Sequence, residues 1–379
     1  MKRKHLKMTF ISMMILGLLM GLLGCMKNSN LPNTSPEVTQ DNEDSNKETP
    51  DTLKDNEKDS LTEEKEDTQA QNKEKQIVEE IDYEVVRPNE LGEVMILMYH
   101  QFGETERDIW WRSFENFKKD LQILYDRGYR AVSMQDFLTN NINIPAGTTP
   151  VIFTFDDGTN SQFNLIEKEG ELVVNPKTAV GIMKSFYEKH PDFGLEATFY
   201  INDVAFAGSK GTEKERLQYL LDSGMDIGNH TFGHTNLAQA DIATIQSVIG
   251  KHYKKMYEYF PDYRHYTLAL PYGAYANSTF EYTIRGEYEG LRYEHDAVLL
   301  VGWKPSPAPA HKDFYPTRLV RVRAGEGELQ DMYYYLDYFE KNAEKRYVSD
   351  GNPNTIAFPE KHKHLLDEES VGDKKVITY

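Results

Sequence analysis

The chain has 379 residues, with 61 Asp+Glu against 43 Lys+Arg for a formal net charge of −18. The part from Leu91 onward carries −11 of its own, which argues against nucleic acid or an anionic membrane surface as the partner of the folded part. Its single cysteine excludes an intramolecular disulfide. There is no internal repeat.

In chain order the first element is an export segment. Lys2, Arg3, Lys4 and Lys7 form a positive start, and Thr9 to Leu23 is an apolar run without a charge. The run is slightly short of a membrane span, so an uncleaved anchor is the alternative. It ends in Leu22-Leu23-Gly24-Cys25, which resembles the bacterial lipobox. The resemblance implies lipid on Cys25 and a chain anchored to the outer face of the cell membrane. Met26 to Glu90 then holds 19 Asp+Glu against 8 Lys+Arg and almost no aromatic residues. Such a stretch cannot bury enough apolar surface to offset its ordering entropy, so a disordered acidic tether is expected. Ile77–Val86 regains apolar character and is expected as a strand or helix against the domain. The organisation is therefore 1–24 signal, 25–90 linker and 91–379 one domain, with core motifs over 149–325. Roughly 290 residues suits one large α/β domain.

Within the domain, apolar runs of strand length alternate with helical patterns. Predicted strands are Val94–Tyr99, Val151–Phe155, Ala197–Asn202, Met225–Gly228, Tyr266–Leu270, Ala297–Val301 and Arg318–Val322. Phe114, Phe117, Leu121, Leu124 and Tyr125 follow a helical period, with Gly128 as the C-terminal cap. Further helices are predicted over Lys177–His190, Glu213–Ser223, Ala240–Phe260 and Leu329–Arg346. This alternation indicates a mainly parallel sheet, open or closed into a barrel, with sites at the C-terminal strand ends.

Two strings carry chemistry. Thr154-Phe155-Asp156-Asp157-Gly158 puts adjacent carboxylates at a strand end, where Gly158 permits a turn that lets both share a pocket. Like charges that close raise one pKa unless a cation keeps them ionised. A metal on Asp157 would do so and leave Asp156 free as general base. His230-Thr231-Phe232-Gly233-His234 offers two imidazoles at i and i+4, which face one way on a helical turn. One carboxylate and two imidazoles leave an open metal position for water, as catalytic sites require. The donor set suits zinc first, and also Co, Ni or Fe. Position 231 is Thr, so no Glu base accompanies the pair, and Asp156 is the available candidate. Thr231 is expected to brace a ligand.

TFDDG followed by GNHTFGH resembles the NodB-like polysaccharide deacetylases, carbohydrate esterase family 4. Ala197-Thr198-Phe199-Tyr200 and Leu270-Pro271-Tyr272-Gly273 resemble further motifs of that family. The likeness implies an α/β fold, a distorted (β/α) barrel, with a divalent metal on Asp157, His230 and His234 and Asp156 as base. It implies hydrolysis of acetyl groups on a sugar polymer, with the Tyr272 backbone N–H, beside Pro271, meeting the oxyanion.

Two departures stand out. The family's Arg two residues before the Pro is Ala269 here, and the C-terminal Leu-Leu-His-Asp motif is absent. Met95-Ile96-Leu97-Met98-Tyr99-His100 has the same strand-then-His form. It resembles the circularly permuted members that deacetylate poly-N-acetylglucosamine. His100 is thus the candidate general acid, with a structural strand-end His as the plainer reading. Arg321 could reach in for the missing Arg, but a surface salt bridge is its expected role. Trp110, Trp111, Tyr272, Tyr275 and Trp303 are candidates to line a glycan groove. The resulting expectation is a monomeric, metal-dependent deacetylase of an envelope or extracellular glycan containing N-acetylglucosamine. Competing readings are an inactive glycan-binding lipoprotein, which the missing Arg favours, and a peptidase or phosphodiesterase.

Overall fold

Seven short, largely buried strands pair in parallel. The computed structural model describes residues 81–264, 267–326 and 330–379. The export segment, Cys25 and the acidic stretch through residue 80 lie outside the described residues, as do Tyr266 and Leu329. The strands are β1 (Glu93–Tyr99), β2 (Thr149–Asp157), β3 (Thr198–Ile201) and β4 (Asp226–Asn229), then β5 (Thr267–Ala269), β6 (Ala297–Leu299) and β7 (Val322–Arg323). Their spatial order is β6-β5-β4-β3-β2-β1-β7, parallel throughout.

The curled sheet is closed by one segment that bonds to both of its edges. Leu319 pairs with Leu299 of β6, its N–H donating to Val298 at 3.0 Å and its carbonyl accepting from Leu300 at 2.7 Å. Three residues on, Val322 lies opposite Leu97 of β1. A continuous strand over 318–322 does not form. Arg318 ends a 3-10 turn begun by Pro316, whose fixed φ and missing N–H suit a turn start. Arg321 therefore stands where the two edges meet. The architecture is the expected distorted α/β barrel.

The helices are α1 (Phe114–Asp126), α2 (Ala179–Tyr187), α3 (Glu213–Asp222), α4 (Ile242–Tyr259) and α5 (Met332–Lys341). Each begins where a side chain caps it: Ser113, Thr178, Thr212, Asp241 and Asp331 all accept from backbone N–H groups of the first turn. Caps, rather than apolar periodicity, thus trim α2 and α4 by about two residues against the sequence expectation. Two hairpins, Leu165–Lys168 with Glu171–Val174 and Arg285–Tyr288 with Leu291–Glu294, were not expected. Both turn on Glu-Gly with positive φ at both residues, the turn that Asn-Gly usually signals.

Strand side chains alternate between two buried faces. Leu97, Tyr99, Phe153, Phe155 and Phe199 meet the helices, while Ile96, Ile152, Tyr200, Ala269 and Leu299 fill the inside of the curl. Each fully buried large apolar chain contributes ~1.5–3 kcal/mol. Tyr200 fits only because its neighbour is glycine: a Cβ on Gly228 would lie 2.3 Å from the ring. By the same alternation Ile152, Thr154 and Asp156 face inward.

Packing begins before Leu91. Tyr83–Val86 forms a helical turn capped by Asp82, and Asn89 and Glu90 are buried. Glu90 accepts from the N–H groups of Ala357 (2.8 Å) and Asp350 (3.2 Å) and from the Tyr347 hydroxyl (3.3 Å). Burial, then the Asp350 charge, pushes its carboxyl from 4.5 up to about 8, against the pull of those N–H groups and Lys374. A folded pKa above the unfolded one adds stability that is complete below 4.5 and fades as pH rises to about 8. Glu90→Gln should therefore flatten the fall of melting temperature across that window. Parallel pH series of thermal unfolding check this; identical slopes contradict it.

Candidate active site

Backbone strain brings the two carboxylates together. Strict alternation would point Asp157 outward beside Phe155. Instead Asp157 has φ 79° and Gly158 φ 62°, so the turn expected at the glycine starts one residue earlier. A left-handed non-glycine residue costs roughly 1–3 kcal/mol and needs support from its surroundings. Asn202 supplies some, donating to Asp157 Oδ1 at 3.3 Å. A Cβ at Gly158 would lie 2.7 Å from Ile201.

His230 follows β4 directly. Its Nδ1 lies 2.7 Å from the Ala269 carbonyl, which can only accept, so Nδ1 carries the proton and Nε2 presents a lone pair. That Nε2 is buried without a hydrogen-bond partner. The expected helical turn through His230 and His234 does not form. The segment is a loop with φ 59° at Thr231, 75° at Gly233 and 48° at His234. Thr231 braces it, its N–H donating to Asn229 and its hydroxyl accepting from the Thr235 N–H at 3.1 Å. The loop still delivers what the spacing suggested. His230 Nε2 and His234 Nε2 lie 3.7 and 3.5 Å from Asp157 Oδ1.

One donor atom from each of Asp157, His230 and His234 lies within 4.8 Å of the others. A buried imidazole nitrogen left unmet costs about 1–3 kcal/mol, and ligation would satisfy it. Two imidazoles and a carboxylate match the donors that hold zinc-class ions. The residues therefore fit a divalent cation. Without one, burial outweighs the pull of His230 and pushes the Asp157 carboxyl up.

Asp156 is treated differently. The Arg321 guanidinium grips it with both forks, Nη1 to Oδ1 and Nη2 to Oδ2 at 2.7 Å each. Arg321 also donates to Thr154 Oγ1 at 3.1 Å and to the Leu300 carbonyl at 3.0 Å. Its exposure is 0%, so the expected surface salt bridge is overturned. Burial alone would raise the Asp156 pKa, but Arg321 and then His230 hold it well below the carboxylate range. The guanidinium thus reaches Asp156 from the closing segment, while Ala269 at the family's Arg position only offers a carbonyl to His230.

His100 sits one residue past β1, with Nε2 3.8 Å from Asp156 Oδ2 and its ring against Trp110 at 4.8 Å. Burial lowers its pKa below 6.5, against the pull of Asp156. Tyr272 follows β5 in the Pro271–Gly273 turn with φ 61°. Its exposed ring meets the His234 ring edge-on at 4.6 Å. Trp110 and Tyr272 thus touch site imidazoles. Trp111 lies under Arg107, Tyr275 packs on Phe280, and Trp303 is exposed. Sequence reading missed Gln162, a buried amide that donates to the carbonyls of His100 and Asp156. No spacing rule marks such a residue.

Residues 144–290 match the model of the polysaccharide deacetylase family. That stretch contains Asp156, Asp157, His230, His234 and Tyr272, whereas His100 and Arg321 lie on either side of it. No curated protein matches the chain significantly. Among solved structures, the Streptococcus pyogenes deacetylase PplD in complex with acetate is 18% identical with a TM-score of 0.48, covering 65% of this chain and 97% of its own. IcaB from Ammonifex degensii is 18% identical with a TM-score of 0.45, covering 62% and 92%. A de-N-acetylase from Aggregatibacter actinomycetemcomitans is 14% identical with a TM-score of 0.41, covering 60% and 94%.

Arg321→Met would leave the Asp156 carboxylate buried and unpaired, which typically costs about 3–5 kcal/mol. The variant should melt well below wild type, and Asp156→Asn added to it should recover part of the loss. Thermal unfolding of the three proteins checks this; a single variant as stable as wild type contradicts it.

Proposed function

We propose that this protein hydrolyses N-acetyl groups, with a divalent metal, from a polysaccharide containing N-acetylglucosamine in the cell envelope or extracellular space. The observation that carries the reading is a buried Asp156 held by both forks of Arg321 beside the triad Asp157, His230 and His234. A carboxylate fixed next to a three-ligand metal triad suits metal-assisted hydrolysis of an amide. The polysaccharide deacetylase match over residues 144–290 supports the acetyl group and sugar polymer as its targets.

Asp157, His230 and His234 would hold the cation, which supplies Lewis-acid activation of water and of the acetyl carbonyl when bound. Asp156 accepts the proton of the attacking water. Arg321 keeps that carboxylate ionised and fixes the direction of its lone pairs. The Tyr272 N–H, turned by its positive φ, donates to the oxygen on which charge develops. His100, whose Nε2 lies 3.8 Å from Asp156 Oδ2, delivers a proton from its imidazolium form to the departing amine. The inactive glycan-binding alternative drew its support from Ala269. Arg321 supplies the cation that position lacks, which favours the enzyme. The resemblance of Leu22-Leu23-Gly24-Cys25 to a lipobox and the acidic stretch after it support a tethered lipoprotein whose domain works outside the cytoplasmic membrane.

Acetate release from N-acetylglucosamine polymers by the zinc-reconstituted protein is the test, run beside Asp157→Ala. Wild type should release acetate, and Asp157→Ala should lose both zinc and activity. Intact zinc binding without acetate from any glycan would favour the binding-module reading instead.

A further inference from the structure

The proposed chemistry needs two strand ends held in register, and one side chain ties them together. Gln162 is completely buried in the turn after β2, where its own N–H and that of Phe163 both donate to the Thr159 carbonyl. Its Nε2 donates to the His100 carbonyl at 2.6 Å and to the Asp156 carbonyl. Both partners are carbonyl oxygens, so the amide must turn its NH2 toward them. The Oε1 is then left buried without a hydrogen-bond partner. The orientation is thus dictated by the two carbonyls and not by the needs of the glutamine itself. The same turn grips the His100 segment a second time, as Phe102 N–H donates to Ser161 Oγ at 3.1 Å.

The two residues differ in how much they depend on this tie. Asp156 is paired with Tyr200 in the β2–β3 ladder and held by the Arg321 fork. His100 stands between β1 and the short strand Gln101–Gly103, outside any ladder. Loss of the Gln162 amide would therefore fall mainly on His100. We propose that Gln162 is a positioning residue that sets His100 against Asp156 and so governs proton delivery to the leaving amine. This rests on the deacetylase reading.

Gln162→Met keeps the side-chain length and removes the donors. For N-acetylglucosamine oligomers its kcat should fall about 10- to 100-fold, as expected for a small misplacement of a reacting group. KM should stay within about 3-fold. Hydrolysis of p-nitrophenyl acetate, whose leaving group departs without a proton, should fall less than about 3-fold. Zinc uptake should match wild type, and in the metal-free protein amide exchange should quicken at residues 100–103. Equal losses on both substrates, or an unchanged amide rate with unchanged exchange, overturn the role. If wild type itself releases no acetate, the deacetylase reading falls and this role with it. Wild-type activity with an indistinguishable variant sinks Gln162 alone. Should Gln162→Met not fold, Gln162→Asn keeps the amide, shortens its reach and carries the same comparison.

Discussion

A guanidinium with no access to water must be fully paired, and the pairing of Arg321 with Asp156 sets much of what surrounds it. Arg321 lies on the segment that bonds to β6 through Leu319 and to β1 through Val322. Its side chain crosses the interior to the end of β2. The ion pair therefore ties the closure of the sheet to the ionisation of the candidate base. Buried pairs of this kind contribute little net stability compared with an apolar replacement, yet breaking one is expensive. Its value here is chemical: it keeps a carboxylate charged and oriented where burial alone would neutralise it.

Around that pair the backbone is strained in a consistent place. Asp157, Thr231, His234 and Tyr272 all adopt positive φ without being glycine. Each follows or ends a barrel strand, where the chain leaves the ladder and can be bent toward the site. The bends have separate effects. Asp157 joins Asp156 in one pocket, the His230 loop aims two imidazoles at it, and Tyr272 presents its backbone. Strain at four such positions needs a rigid support, which the doubly buried strands provide.

Much of this was legible in the sequence. Six of the seven parallel strands match the predicted apolar runs, the exception being β7, and both strings fall at strand ends. The spacing of His230 and His234 identified them as partners but not the conformation, because i and i+4 can also converge across a loop with left-handed residues. The replacement for the family's Arg was harder. Nothing in the local sequence around Arg321 distinguishes an inward side chain from an exposed one, since it precedes a strand of only two residues, Val322–Arg323. What buries it is closure of the sheet, a tertiary event that sets it against Asp156, 165 positions away in the chain. The Glu-Gly hairpins escaped for a simpler reason: their strands are only four residues long, and Glu-Gly is not the Asn-Gly or Asp-Gly pair that signals such a turn.

The central claim is that Asp156 is the proton acceptor beside a three-ligand metal site that does not include it. Acetate release and zinc content of Asp156→Asn, measured beside wild type on the same N-acetylglucosamine polymer, test it most directly. The account expects zinc content unchanged and turnover reduced by roughly 10²- to 10⁴-fold. Deacetylation near the wild-type rate, or loss of the metal together with the activity, would contradict it.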